Sequence, residues 1–480
     1  MIDYRVNPPV IFADDFAERD NIAWRVQPAH DRTVLLEPAF PWDGALVCKG
    51  HGTVLKDPRD GLFKGWFVAV EEDLAYRRGR QEYRLVYVES RDGWHWERPR
   101  LDLCPYPGHP RTNILFDYPS GGRTSYASVL VDEEDVAEPY QMFCFRDPSW
   151  KCPGGVVPGF GRGAGYGLYR YRSVDGINWR PQHGPLDIAS DDTLYVHRDP
   201  DGTYVSHHKR SIPNYPGGHT PYDVDPAGSR SAFAATSADG VHWQPSALAM
   251  TPDRLDRQGD QIMELGRHPY HGGFVGVAAV YHSRQQEMDL QVAASPDGSP
   301  LSWWRPARRP CLPLAPLGEY GGGLIWPTRT LVEDGDRWVL FHGATEGLHG
   351  DVYARDESVL LFHGAFCRAS WRKGRMWAAV PAAGGAQEAS LTTSPAEEIR
   401  GRQLVVNVVT KPGGQLLCEL LRDGSPVAGY GRADCVPVTG DETGAPVRWR
   451  AGVRCPADGL ALRLHLHGAY LYGFAWLEDA

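Results

Sequence analysis

A short motif, Ser-x-Asp-Gly followed by Trp, recurs four times in this chain of 480 residues. Few folds can use one motif so often. The copies are Ser90-Arg91-Asp92-Gly93 with Trp96, Ser173-Val174-Asp175-Gly176 with Trp179, Ser237-Ala238-Asp239-Gly240 with Trp243, and Ser295-Pro296-Asp297-Gly298 with Trp303, the last with two extra residues before the Trp. Asp caps a hairpin turn with its carboxylate, and Gly supplies the positive φ the turn needs. The Trp then opens the next strand and packs on a neighbouring sheet. Four near-identical copies read as a structural part rather than as four catalytic aspartates.

A second signal has nearly the same period. Polar turns begin at Asp57, Asp132, Asp199, His268 and Glu333, at nearly even intervals along the chain. Each lies between two short strand-like runs, and an apolar-aromatic strand follows it, such as Phe63–Val70 or Phe274–His282. Each unit therefore holds four strands. Four-stranded units repeated radially are the blades of a propeller. Five turns predict five blades. The fifth unit lacks the Asp-Gly-Trp element, so its outer strand comes either from residues 359–366 or from the N-terminal segment, which would close the ring.

The pattern changes near residue 385. Pro381–Ala386 reads as a linker, and period-two runs follow at 403–409, 415–421 and 460–466. The expected class is all-β: a five-bladed β-propeller over residues 1–380 and a C-terminal β-sandwich over residues 387–480. The sandwich reads as a packing module or as a carbohydrate-binding one.

Bulk properties narrow the partners. The net charge is −10 with no basic stripe, which argues against nucleic acid. No apolar run approaches the ~18–20 residues of a membrane helix, so no membrane partner is expected. The N-terminus shows no basic region followed by an apolar core, which predicts a cytoplasmic protein. The nine Cys are scattered without zinc spacing and read as free buried thiols. No metal and no cofactor are expected, and the oligomeric state is not legible. The 54 Gly, 16 Trp and 22 Tyr fit short strands and a site that stacks on flat ligands.

Five blades, Asp-Gly-Trp hairpins and a C-terminal β-domain resemble the glycoside hydrolases of families 32 and 43 and their relatives, over nearly the whole chain. The repeated motif is also similar to the Asp-box of sialidases, one residue shorter. Phe145-Arg146-Asp147-Pro148 matches the Arg-Asp-Pro of family 32, although here it follows the second strand of blade two. That family's Asn-Asp-Pro-Asn-Gly and Glu-Cys are absent. The resemblance implies a carbohydrate substrate, furanoside or short glycan. It implies a site on the propeller axis, at the N-terminal ends of the innermost strands.

Glycoside cleavage needs two carboxyl groups flanking the bond. The starts of the inner strands offer Asp43 in blade one, Asp192 in blade three, Asp260 in blade four and Glu319 in blade five, with Glu264 deeper in blade four. Asp192 with Glu319 or Asp260 is the preferred catalytic set, and Asp43 the third member. Trp42 and Trp326 are candidate stacking platforms, and His51 and Arg123 lie beside strand starts. The ends of the second strands should ring the pocket. They offer Arg146 and Asp147, then His207 to Arg210 including His208, then His282 and Arg284, then His342 with Glu346 and His349. The basic cluster at 207–210 allows phosphate binding, as in the five-bladed mannoside phosphorylases. Hydrolysis is the leading expectation. Phosphorolysis or transglycosylation, and glycan binding without catalysis, are the alternatives.

Overall fold

The computed structural model describes residues 6–47, 52–70, 83–116, 123–147, 167–188, 194–213, 228–349, 363–382 and 388–478. There is no α-helix among them, and no helix long and apolar enough to cross a membrane. Five four-stranded antiparallel blades form the propeller. The innermost strands are Gly52–Lys56 (with Ala45–Leu46 before it), Arg123–Val131, Leu194–Arg198, Asp260–Leu265 and Leu324–Pro327. The second strands, such as Phe63–Val70 and Gly273–His282, are buried along their whole length. Each blade is packed between two others, so both strand faces need apolar residues.

The Asp-Gly turns adopt the geometry their sequence predicts. In the first, Ser90 Oγ accepts from Gly93 N–H at 2.9 Å, and Asp92 Oδ1 accepts from the Trp94 and His95 N–H groups at 2.8 Å each. Those backbone donors hold the Asp92 carboxyl well below the usual range. The other turns repeat the pattern. Gly176 has φ +76°, and a Cβ there would sit 2.9 Å from the Trp66 ring of blade one. The Trp66 indole donates to Gly176 O at 2.6 Å. The turn thus bridges two blades.

The second set of turns also binds neighbouring blades. Asp57 is shared with Lys64, at 2.6 Å, and with Tyr140 Oη of blade two. Asp132 pairs with Arg198 at 3.0 Å, Asp199 with Arg267 at 2.6 Å, His268 with Glu333 at 3.2 Å, and Asp334 with Lys56 at 3.2 Å. These links run round the ring from each blade to the next, at the end opposite the strand starts.

Along the axis, hydroxyls pin the inner strands together. Thr53 Oγ1 donates to Ala127 O at 2.9 Å and accepts from Val129 N–H at 3.0 Å. Ser128 Oγ accepts from Val196 N–H at 3.0 Å, and Tyr195 Oη lies 2.8 Å from Glu264 Oε2 and 2.7 Å from Pro327 O. Arg329 N–H closes the circle on Gly52 O at 3.1 Å. Glu264 is thus a structural acid inside the barrel of inner strands. Thr53→Val keeps the volume and orphans a buried N–H and C=O. The expected loss is about 1–3 kcal/mol in urea unfolding; an unchanged midpoint would contradict this account of the axis.

Blade five is completed from the N-terminal side. Its third strand is Gly364–Arg372, and Asp31–Leu36 pairs with it as the fourth. Of the two predicted sources, the N-terminal one supplies the outer strand, because residues 364–372 already serve as the third. The expected boundaries also need correction. Phe16–Asp20 pairs with Ala389–Thr393, and Ile22–Val26 with Trp377–Pro381, all in the sheet of the C-terminal unit. Part of the segment assigned to the propeller therefore belongs to the sandwich. The reason is edge protection: these strands cover backbone that would otherwise lie open.

The C-terminal unit is built on two long paired strands, Gln403–Arg422 and Ala461–Leu477. The separate runs predicted there are halves of single strands. Register breaks between Thr410 and Gln415, beside Gly413 and Gly414, and the sheet folds over a core of Leu404, Val406, Leu416, Leu464 and Leu471. Residues 8–12 thread between the two units. A Cβ on Gly473 would lie 1.8 Å from Pro9 O, so only glycine admits the strap there. The described cysteines are free and buried.

Candidate functional site

The mouth is the end of the propeller where the inner strands begin. Register levels locate it in each blade. In blade two Arg123 is paired with Asp147 and Thr124 with Arg146. In blade three Leu194 lies opposite His208, in blade four Asp260 opposite His282, and in blade five Leu324 opposite Thr345. His51 and Asp192 lie outside the described residues, as do the side chains of Arg123 and Asp147. Two inner strands bulge near the mouth, between Ser125 and Ser128 and between Ile262 and Glu264. Tyr126, in the first bulge, holds φ +60°, a strained value for a bulky residue.

Blade four brings two predicted residues into direct contact. Asp260 Oδ1 lies 2.7 Å from His282 Nδ1, and His282 Nε2 lies 2.9 Å from Asp289 Oδ2. Asp260 Oδ2 also accepts from Arg257 N–H at 3.1 Å. All three side chains are buried. Burial opposes charge on the imidazole, but the bonds to Asp260 and Asp289 outweigh it and hold His282 at about 9. Beside this relay, Gln261 accepts from Arg230 of blade three at 2.9 Å.

The blade-five side of the mouth adjoins it. Gln286 N–H donates to His282 O at 2.8 Å, and His349 N–H donates to Gln286 O at 2.9 Å. The His349 ring stands 5.1 Å from Tyr281 and 6.4 Å from Trp326. Trp326 is buried, and its indole N–H has no partner among the described residues. Glu346 follows directly on the second strand, Arg337–Thr345, and its side chain is 22% exposed. Burial raises its pKa, and His363, at 3.7 Å, works the other way. Gly318 N–H donates to Glu346 O at 3.2 Å, which sets the turn carrying the exposed Glu319 against Glu346.

The remaining predicted positions are placed differently. The inner strand of blade five begins at Leu324, so Glu319 lies in the turn before it and not at the strand start. Asp43 is 1% exposed. Its Oδ1 accepts from the Ala39 and Phe40 N–H groups at 2.9 and 2.7 Å, and its Oδ2 pairs with Arg98 at 3.0 Å. Burial raises its pKa against those partners, but no open face is left for a ligand. Trp42 is likewise enclosed: it stacks on Phe40 at 4.6 Å and donates to Asn113 Oδ1 at 3.0 Å.

His207 and His208 do not end a strand, because the second strand of blade three runs on through Tyr204–Pro213. The ribbon 209–213 paired with 228–232 rises beyond the start of the inner strand and carries Lys209, Arg210 and Arg230. His208 is buried, stacked near Phe233 and lowered by burial to about 4. Arg210 lies over Phe233 at 5.1 Å. His342 sits inside its strand, fully buried and lowered by burial to about 3, so it is not a rim residue. Arg146 donates to Tyr171 Oη at 2.6 Å, and Arg284 is exposed.

Sequence reasoning overlooked Asp289 and Arg230 and placed Glu346 only on the rim. The signal for Asp289 was available in Glu287-Met288-Asp289-Leu290-Gln291, whose alternation reads as a solvent face. Among the described residues, no group of three or more His, Cys, Asp or Glu side chains could hold a metal ion.

No protein-family model matches the chain, and no curated protein matches it. Solved structures do resemble it. One is titled a glycosyl hydrolase from Bacteroides ovatus: 13% identity, TM-score 0.45, covering 77% of this chain and 98% of that one. Another is a thermostable family-43 glycoside hydrolase: 11%, 0.42, 69% and 90%. A third is an N-acetylgalactosamine deacetylase from F. plautii in complex with blood group B trisaccharide: 14%, 0.46, 75% and 96%. At these identities no residue role carries over.

Proposed function

We propose that the chain cleaves a glycosidic bond at the propeller mouth, between blades four and five. The observation that carries this reading is the pair of carboxyl environments there. Glu346 is half-buried, reachable and raised by burial, as a proton donor must be. Asp260 is held rigidly by His282 and a backbone N–H. In this reading Glu346 gives its proton to the leaving oxygen. Asp260 faces the anomeric carbon and supports the positive charge that develops on the ring, and water then adds to that carbon and returns a proton to the Glu346 carboxylate. Glu319 adds a further exposed carboxyl beside Glu346, and the buried Trp326–His349–Tyr281 cluster backs that side of the mouth.

A panel of aryl furanosides and pyranosides tests this, with and without phosphate. Turnover of at least one substrate is expected, lowered at least about 10²-fold in Asp260→Asn. Binding without turnover across the panel would instead mark a glycan-binding propeller, and full activity in the variant would remove Asp260 from the chemistry. Phosphorolysis is the second reading. It is favoured by the cationic ribbon of Lys209, Arg210 and Arg230, and strict dependence on phosphate would establish it.

A further inference from the structure

The acidic partner of His282 on its far side has no place in a two-carboxyl mechanism. Asp289 is on the third strand of blade four, Glu287–Ser295, while Asp260 opens the first. His282 stands between them on the second strand and bonds both, at 2.7 and 2.9 Å. The line of contacts continues outward. Gln291 Nε2 lies 3.4 Å from Asp289 Oδ1, and Arg305 donates to Gln291 Oε1 at 3.1 Å and to Asp256 Oδ2 at 2.5 Å. Asp256 belongs to the loop that leads back to Asp260, whose own N–H donates to Arg257 O at 3.0 Å. The contacts therefore lead from the mouth carboxylate through His282, Asp289, Gln291 and Arg305 to Asp256, in the loop that precedes Asp260.

We infer that Asp289 is a positioning residue which, acting through His282, fixes the orientation of Asp260 at the mouth; its catalytic consequence rests on the function proposed above. The physical reason is directional. A neutral imidazole has one N–H and could donate to only one of the two carboxylates. The doubly protonated ring donates to both. With two carboxylates against it in a buried site, the cation is favoured. Its plane is then fixed at both ends, and Asp260 has one orientation instead of several. A group misplaced by about 1 Å costs up to about 10²-fold in rate, so this restraint matters to the chemistry.

The surroundings of His282 determine the pH range. On the first strand Asp260 faces it, and beyond that Gln261 receives Arg230 from blade three. On the third strand Asp289 faces it, and Glu287 is its register partner. Arg284, two residues on, is exposed. A His raised to about 9 in the folded protein stabilises it fully below the unfolded value of about 6.5. That contribution is lost as pH rises from there through about 9.

The test is a proton-NMR titration of His282, assigned by its loss in His282→Gln, in the full chain and in Asp289→Asn. Wild-type His282 should titrate near 9. In Asp289→Asn it should fall toward the ordinary imidazole value of about 6.5. On the best aryl glycoside, kcat/KM of the variant should drop by up to about 10²-fold. Asp289→Glu should restore part of both. A wild-type His282 that titrates at or below about 6.5 overturns the inference even if the variant fails to fold. So does a variant titration unchanged from wild type. A shifted titration with unchanged kcat/KM refutes the positioning role. If wild type turns over no glycoside, the functional reading fails, while the titration still decides whether Asp289 acts on His282.

Discussion

Glu346→Gln should lose about 10²–10⁴-fold in kcat on glycosides with poor leaving groups and far less on dinitrophenyl glycosides. The difference follows from what a proton donor supplies. An alkoxide leaves slowly unless it is protonated as the bond breaks, whereas a dinitrophenolate leaves unaided. Glutamine keeps the size and hydrogen-bonding shape of Glu346 but has no proton to give. The side chain is only half-buried, and its near neighbour is His363 at 3.7 Å, so the fold should survive the change. The pH profile gives a second reading of the same group. Burial raises the Glu346 pKa, so the acid form persists to a higher pH than in an ordinary glutamate. Activity should fall as pH rises through that value, and the limb should vanish in the variant. Equal losses on good and poor leaving groups would show that Glu346 does not protonate the leaving oxygen.

Removing residues 1–36 should leave no cooperatively folding protein. Three structures depend on that segment. Asp31–Leu36 is the fourth strand of blade five, and Phe16–Asp20 with Ile22–Val26 covers edges of the C-terminal sheet. Residues 8–12 run between the two units as a strap. Pro8 O accepts from Tyr270 Oη at 2.9 Å, Pro9 O from Asn407 Nδ2 at 3.0 Å, and Ile11 O from the Trp377 indole at 2.8 Å. The truncation orphans these three buried donors, at about 1–3 kcal/mol each. It also removes the buried Val10, Ile11, Phe12 and Phe16, at about 1.5–3 kcal/mol each. Together these losses match the whole stability of a typical domain, about 5–15 kcal/mol. Urea unfolding followed by tryptophan fluorescence would measure it. A cooperative transition with the wild-type midpoint would show that the strap is dispensable.

How much of this was legible beforehand depended on the range of the interaction. The Asp-Gly turns were legible because Ser90, Asp92 and Gly93 satisfy one another within a single turn. The same holds at Ser173, Ser237 and Ser295. The start of blade four was legible too, since Asp260 opens its strand as expected and meets His282. Asp43 shows the opposite case. Its position before an inner strand suggested chemistry, yet its carboxylate is used by two backbone amides and by Arg98, which lies just past the outer strand of the same blade. Asp289 was hidden by a pattern. Alternation from Glu287 to Val292 normally marks one wet face. Here blade four is enclosed on both sides, and Asp289 and Gln291 are buried among polar partners.

By itself the sequence determined the number of blades and the turns that end them. Those features rest on contacts between neighbours in the chain, and a periodic signal repeats them often enough to be read. The tertiary structure decided what covers the edge of blade five, where the N-terminal segment goes, and which carboxyls reach one another at the mouth. These depend on partners far apart in the chain, such as Asp31–Leu36 with Gly364–Arg372. No local preference of either strand specifies such a partner; the backbone groups left open on an edge do, once the rest of the ring has formed.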